Sequence, residues 1–132
     1  MDAQYKLGIP AIDEEHSKLF ALSGRLKEAT VDTASFIAAE LYDYVYTHFV
    51  HEERLLVEWE HYHAHVTQHK RIAFLLDNAY EKLTRPIFLD PIVAISEMQS
   101  LVEHWLKVHI LHEDAQYVPY LIERGLHVPQ CS

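Results

Sequence analysis

Four helical stripes in this chain carry histidine and carboxylate where a helix bundle wants leucine, and few folds accommodate that. In chain order the runs are Asp13-x-x-His16, His48-Phe49-x-x-Glu52, His65-x-x-x-His69 and Trp105-Leu106-x-x-His109-Ile110-x-x-x-Asp114. Residues three or four apart stack on one face of a helix. The polar groups therefore share their stripes with Leu19 and Leu26, with Leu41, Val45 and Leu56, with Ile72 and Leu76, and with Met98, Val102 and Leu106. Imidazole and carboxylate are costly to bury without partners. A metal shared by the stripes supplies those partners. Nitrogen and oxygen donors, with no thiolate among them, point to iron, manganese, zinc or copper rather than to an iron–sulfur cluster.

The periodicity is helical almost throughout, with only 3 glycines in 132 residues. That length fits one domain, taken as residues 1–132. Asp13 reads as an N-cap for a first helix ending near Ala29. Thr30-Val31-Asp32-Thr33 reads as a turn with a cap, followed by a second helix from about Ala34 to Glu58. A third runs from about Tyr62 to Leu83 and stops at Arg85-Pro86. Asp90-Pro91 supplies N-cap and first helical residue for a fourth. A short fifth, about Gln116 to Arg124, ends at Gly125. Short turns between the long helices predict an all-α, up-down-up-down four-helix bundle with a short C-terminal helix.

The formal net charge of −9 leaves no basic surface for nucleic acid. It also disfavours docking on an anionic membrane face. No run approaches the roughly 20 apolar residues of a membrane span. The N-terminus lacks the basic-then-apolar order of a signal peptide, so a cytoplasmic location is expected. The single cysteine, Cys131, excludes an internal disulfide and reads as a solvated tail thiol.

Five imidazoles and two carboxylates exceed the four ligands of one structural zinc. Two octahedral ions offer twelve positions. Two bridging carboxylates fill four of them, five imidazoles fill five, and a bridging oxygen atom fills two. One position stays open, which is what reversible binding of a small ligand requires.

The four runs, together with Gly8-Ile9-Pro10-x-Ile12 ahead of them, Tyr44 and Glu53, resemble the hemerythrin family in its stand-alone, single-domain form. The resemblance reaches to about Tyr117. It implies an oxo- or hydroxo-bridged pair of irons. His65, His69 and His109 would hold one iron. His16 and His48 would hold the other, which keeps the open position for O2. Glu52 and Asp114 would bridge. Reversible O2 binding is the implied function, in transport, storage or buffering, with no enzymatic turnover and with an oxygen-consuming enzyme as a possible partner. Two other readings stand beside it. One is a sensor of O2 or nitric oxide, although such modules are usually fused to signalling domains. The other is a diiron enzyme acting on O2 or peroxide, although such bundles favour Glu-x-x-His pairs, and none is placed for ligation here.

On the fourth helix spacing and resemblance diverge. Glu113 lies four residues after His109 and shares its face, whereas Asp114 lies about 140° round an ideal helix. Spacing favours Glu113 and the resemblance implies Asp114, with a helix end near Leu111 as one way to turn it inward. His61 extends the His65/His69 ladder but reads as a helix-start residue. His51, His63, His104, His112 and His127 read as surface groups. Phe49, Trp105, Leu106 and Ile110 are expected to wall the O2 site with apolar surface.

Overall fold

The computed structural model describes residues 3–85 and 90–126. Four long helices, α1 (Pro10–Lys27), α2 (Val31–Leu56), α3 (Tyr62–Thr84) and α4 (Pro91–His112), precede a short α5 (Val118–Glu123). Each long helix packs on its neighbours in sequence, and α1 closes the ring against α4. That is the up-down-up-down bundle expected from the short turns. Among the described residues, no helix is long and apolar enough to cross a membrane. Met1, Pro86, His127 and Cys131 lie outside the described residues.

The helix ends correct the sequence reading in three places. Asp13 is not the N-cap of α1. The helix starts at Pro10 after Ile9, because proline is pre-set for the first helical position and needs no N–H partner there. Asp13 instead faces back from the first turn. Its carboxylate accepts the backbone N–H groups of Leu7 (2.8 Å) and Gly8 (3.0 Å), with Gly8 at φ +84°. The second helix begins at Val31 after Thr30, whose N–H donates to Thr33 Oγ1 at 3.1 Å. Thr33 is thus inside the first turn rather than ahead of the helix. The third correction concerns the C-terminal segment. Asp114–Tyr117 forms a 3-10 turn before α5. Asp90 does cap α4, accepting the Ile92 N–H at 2.8 Å. Gly125, at φ +77°, closes α5 as foreseen: its N–H reaches Ile122 O (2.9 Å), and the Leu126 N–H reaches Leu121 O (3.0 Å).

The core divides along the bundle. At one end Leu26, Ala34, Ala38, Leu41, Leu76, Ala79 and Met98 pack as an apolar plug. At the other, α1 and α3 are near their starts and α2 and α4 near their ends, and there the stripes turn polar. A second apolar cluster of Ile9, Ile12, Leu56, Trp59, Tyr117 and Leu121 covers that end. The polar residues between the two clusters are sealed on both sides.

Candidate metal centre

All seven singled-out polar residues are buried in this zone: His16, His48, Glu52, His65, His69, His109 and Asp114. They form two groups, each tight enough for one cation. One is His65, His69 and His109 with Glu52 and Asp114. The other is His16 and His48 with the same two carboxylates.

The carboxylate oxygens are divided between the groups. Glu52 Oε1 faces His65 Nε2 (2.6 Å) and His69 Nε2 (3.1 Å), while Asp114 Oδ1 faces His109 Nε2 (2.8 Å) and His65 Nε2 (3.3 Å). The other oxygen of each turns the opposite way. Glu52 Oε2 lies 3.1 Å from His48 Nε2, and Asp114 Oδ2 lies 3.1 Å from His16 Nε2. Several of these short contacts lack hydrogen-bond geometry. His16 Nε2, His69 Nε2, His109 Nε2 and both Asp114 oxygens are buried with no hydrogen-bond partner. Leaving so many polar atoms unpaired is expensive. Atoms aimed past one another toward shared points suit cations, which would satisfy them together. The donor set, imidazole and carboxylate only, fits a first-row transition metal such as iron.

Electrostatics describe the same balance. Burial disfavours a charged His48, but Glu52 and Glu15 outweigh it and push its pKa up to about 10. Burial likewise opposes charge on His65, and Asp114 and Glu52 push it up to about 9. Burial would raise Glu52, yet His48 and its neighbours hold it well below the usual carboxylate range. For Asp114, burial and Glu52 both act upward, and His109 and His16 prevail to hold it low. These directions favour protonated His48 and His65 beside ionised Glu52 and Asp114 when no metal is bound. A bound cation would balance the carboxylates instead and release those protons.

Asp114 enters the cluster because α4 ends at His112. Glu113 serves as its C-cap, and the backbone then tightens into the 3-10 turn. Glu113 stays outside, accepting from Gln68 Nε2 at 2.7 Å. His61 precedes α3 and pairs with Glu60 at 3.3 Å, with 60% of its side chain exposed. His51, His63, His104 and His112 are exposed.

Phe49, Trp105, Leu106 and Ile110 are all buried in one apolar cluster. Phe49 stacks on His69 with ring centroids 4.0 Å apart, and Trp105 lies 5.8 Å from His109. These two rings thus rest on the three-histidine group. A cleft of about 320 Å³ between α1 and α2 reaches the two-histidine side, lined in part by Ile12, Glu15, His48, His51, Glu52 and Leu55.

Sequence reasoning gave no role at the centre to three supporting residues. Glu15 Oε1 lies 2.9 Å from His48 Nδ1, and Glu53 Oε2 lies 2.9 Å from His69 Nδ1. Such carboxylates fix the ring orientation and tautomer of a ligating histidine. Their sequence signal was adjacency. Each follows or precedes a cluster residue by one position, which turns it toward the neighbouring helix. The third is Tyr117, fully buried, whose hydroxyl donates to Glu52 Oε2 at 3.2 Å. Burial and the two carboxylates push its phenol well above the ordinary range, so it stays a donor.

A four-helix bundle with this buried, doubly shared ligand set defines a metal-binding protein of the helical-bundle class. The family pattern of the hemerythrin HHE cation binding domain matches residues 7–121. A bacteriohemerythrin from Clostridium acetobutylicum is 30% identical over 125 residues, covering 87% of this chain and 95% of that protein. The chain belongs to the hemerythrin family.

Proposed function

We propose that this protein binds O2 reversibly at a carboxylate-bridged pair of irons, as a carrier, store or buffer. The observation that carries the reading is the division of oxygens: Glu52 and Asp114 each turn one oxygen to His65/His69/His109 and the other to His16/His48. A bridging carboxylate needs that arrangement. When bound, the iron pair supplies the reducing equivalents and the open position that O2 requires.

The chain's own residues do the rest. Five imidazoles and two carboxylates would nearly fill the coordination shells of two metals, which would leave little room for a substrate beside O2. The two-histidine side offers the fewer candidate ligands, so a metal held there would keep the open position, and the α1/α2 cleft leads to that side. Glu15 and Glu53 hold His48 and His69 in place from behind. Phe49, Trp105, Leu106 and Ile110 exclude water from the centre, which slows irreversible oxidation. An oxygen-consuming enzyme is the natural recipient of the bound gas.

The test combines metal analysis with visible spectroscopy. Protein made in iron-rich medium should hold two irons per chain. The reduced form should be nearly colourless, colour in air, and bleach under vacuum through repeated cycles. Bound zinc, one metal per chain, or steady consumption of O2 or peroxide with a reductant would replace this reading.

A further inference from the structure

Six of the seven residues of the centre sit on the four long helices, and Asp114 does not. It opens the 3-10 turn that leads into α5. Asp114 is fully buried and belongs to both ligand groups. The start of this segment is firmly placed, because Glu113, the C-cap of α4, accepts from Gln68 of α3 at 2.7 Å. Beyond that point, close backbone contact ties α5 mainly to the 3-10 turn itself. Side chains hold it down. Tyr117 and Leu121 sink into the cluster that contains Ile12, Leu56 and Trp59. At the outer edge Arg124 lies 3.2 Å from Glu58, with both side chains exposed. Exposed ion pairs of this kind are weak.

A centre buried this deeply needs a way in for its metal. The clefts on the flanks of the bundle reach only parts of it. The α1/α2 cleft is lined in part by His48 and Glu52, and a cleft of about 410 Å³ between α3 and α4 is lined in part by His109. Asp114 lines neither. Moving a long helix would break the packing of the whole bundle. Moving the segment after Glu113 would break only its own docking, and segments of low local stability are the ones that open.

We propose that the 3-10 turn and α5 form a lid that opens about Glu113 to pass metal, carrying Asp114 out of the cluster as it moves. This rests on the reading of the site as a metal centre, and not on O2 binding. With the lid open, Glu52 and the five imidazoles stay fixed on the long helices. Each ligand group then lacks one carboxylate and faces solvent. A hydrated ion can shed its water onto ligands already in place. Closing returns Asp114 to both groups and the Tyr117 hydroxyl to Glu52. One movement therefore locks both metal positions, and burial of Tyr117 and Leu121 drives it.

Transfer of metal from the reduced, iron-loaded full chain to excess ferrous chelator, without air, tests the lid. Leu121→Ala loosens the docking without touching a ligand and should speed release about tenfold or more. Leu26→Ala, equally buried in the far plug, should leave the rate nearly unchanged, which separates lid opening from lost global stability. A tether supplies the opposite arm. Glu58→Cys with Arg124→Cys, in a chain carrying Cys131→Ser, is loaded with iron and joined by a short bis-maleimide. Release should slow sharply against the same chain capped with a simple maleimide. Should Leu121→Ala fail to fold, the tether carries the test. Equal release from tethered and capped chains, or equal acceleration by Leu121→Ala and Leu26→Ala, would overturn the lid and assign metal passage to the flanking clefts or to global unfolding. A wild-type chain that takes up no metal would overturn the metal reading and the lid with it, whereas loaded protein that fails to bind O2 would leave the lid standing.

Discussion

Glu53 holds His69 from the outer side of the centre, with its Oε2 2.9 Å from Nδ1 while Nε2 faces Glu52. The carboxylate sits on α2 and the ring on α3, so this contact also ties the two helices. Removing the acceptor with Glu53→Ala should weaken metal affinity by about 10–100-fold. Glu53→Gln, which keeps an acceptor oxygen, should lose less. Competition with a chromophoric chelator measures both, and wild-type affinity in the alanine variant would mean that packing alone orients His69.

Asp114 and Glu113 are neighbours with opposite fates. Asp114→Ala should lose iron or its bridged-pair spectrum, because one carboxylate serves both ligand groups. Glu113→Ala should keep both and break only the contact with Gln68. His61→Ala should also keep its iron. Metal analysis of the three variants decides, and iron loss from Glu113→Ala but not from Asp114→Ala would reverse the assignment.

Leu106 is fully buried beside Val102, Trp105 and Ile110. Leu106→Ala should cost about 2–5 kcal/mol of stability by opening a cavity. The same truncation at Leu26, equally buried at the far end of the bundle, should cost a similar amount. Only Leu106→Ala should speed the decay of the oxygenated spectrum, measured where both variants stay folded. Equal decay rates would assign Leu106 to the core and not to the ligand wall.

Metal removal should lower the melting temperature without abolishing helical circular dichroism. Ligands that bind the folded chain stabilise it by mass action. Once the metal is stripped, the unpaired atoms of His16, His69, His109 and Asp114 are left buried. Protons on His48 and His65 still balance the carboxylates in part, so the chain should remain folded. An unchanged melting temperature would mean that the centre contributes nothing to stability.

Much of this molecule was legible in its sequence because ligands and core share one helical period. The positions of His16, His48, Glu52, His65, His69 and His109 follow from stripes that carry leucine elsewhere. Asp114 did not follow, because α4 stops at His112 and the next residues wind more tightly. Periodicity has no knowledge of where a helix stops; only the resemblance chose correctly between Glu113 and Asp114 as the residue in the cluster. The start of α1 was misread for a related reason. Asp13 suits an N-cap by residue type, but Pro10 begins the helix and Asp13 binds the arm before it. Contacts between helices, such as Glu15 with His48 and Tyr117 with Glu52, depend on how the bundle is assembled and left only adjacency as a trace.

The division of the core into an apolar plug and a polar zone has a consequence for how the chain opens. The plug is held by close packing that owes nothing to metal, whereas the polar zone depends on what occupies it. Stability is then uneven along the bundle axis. Amides of α2 and α3 near their shared turn belong to the weaker territory, and those near Leu41 and Leu76 to the stronger. The bundle would fray from its chemical end while its hydrophobic end stays shut. A chain that has lost its metal thus keeps a template on which the missing half can close again.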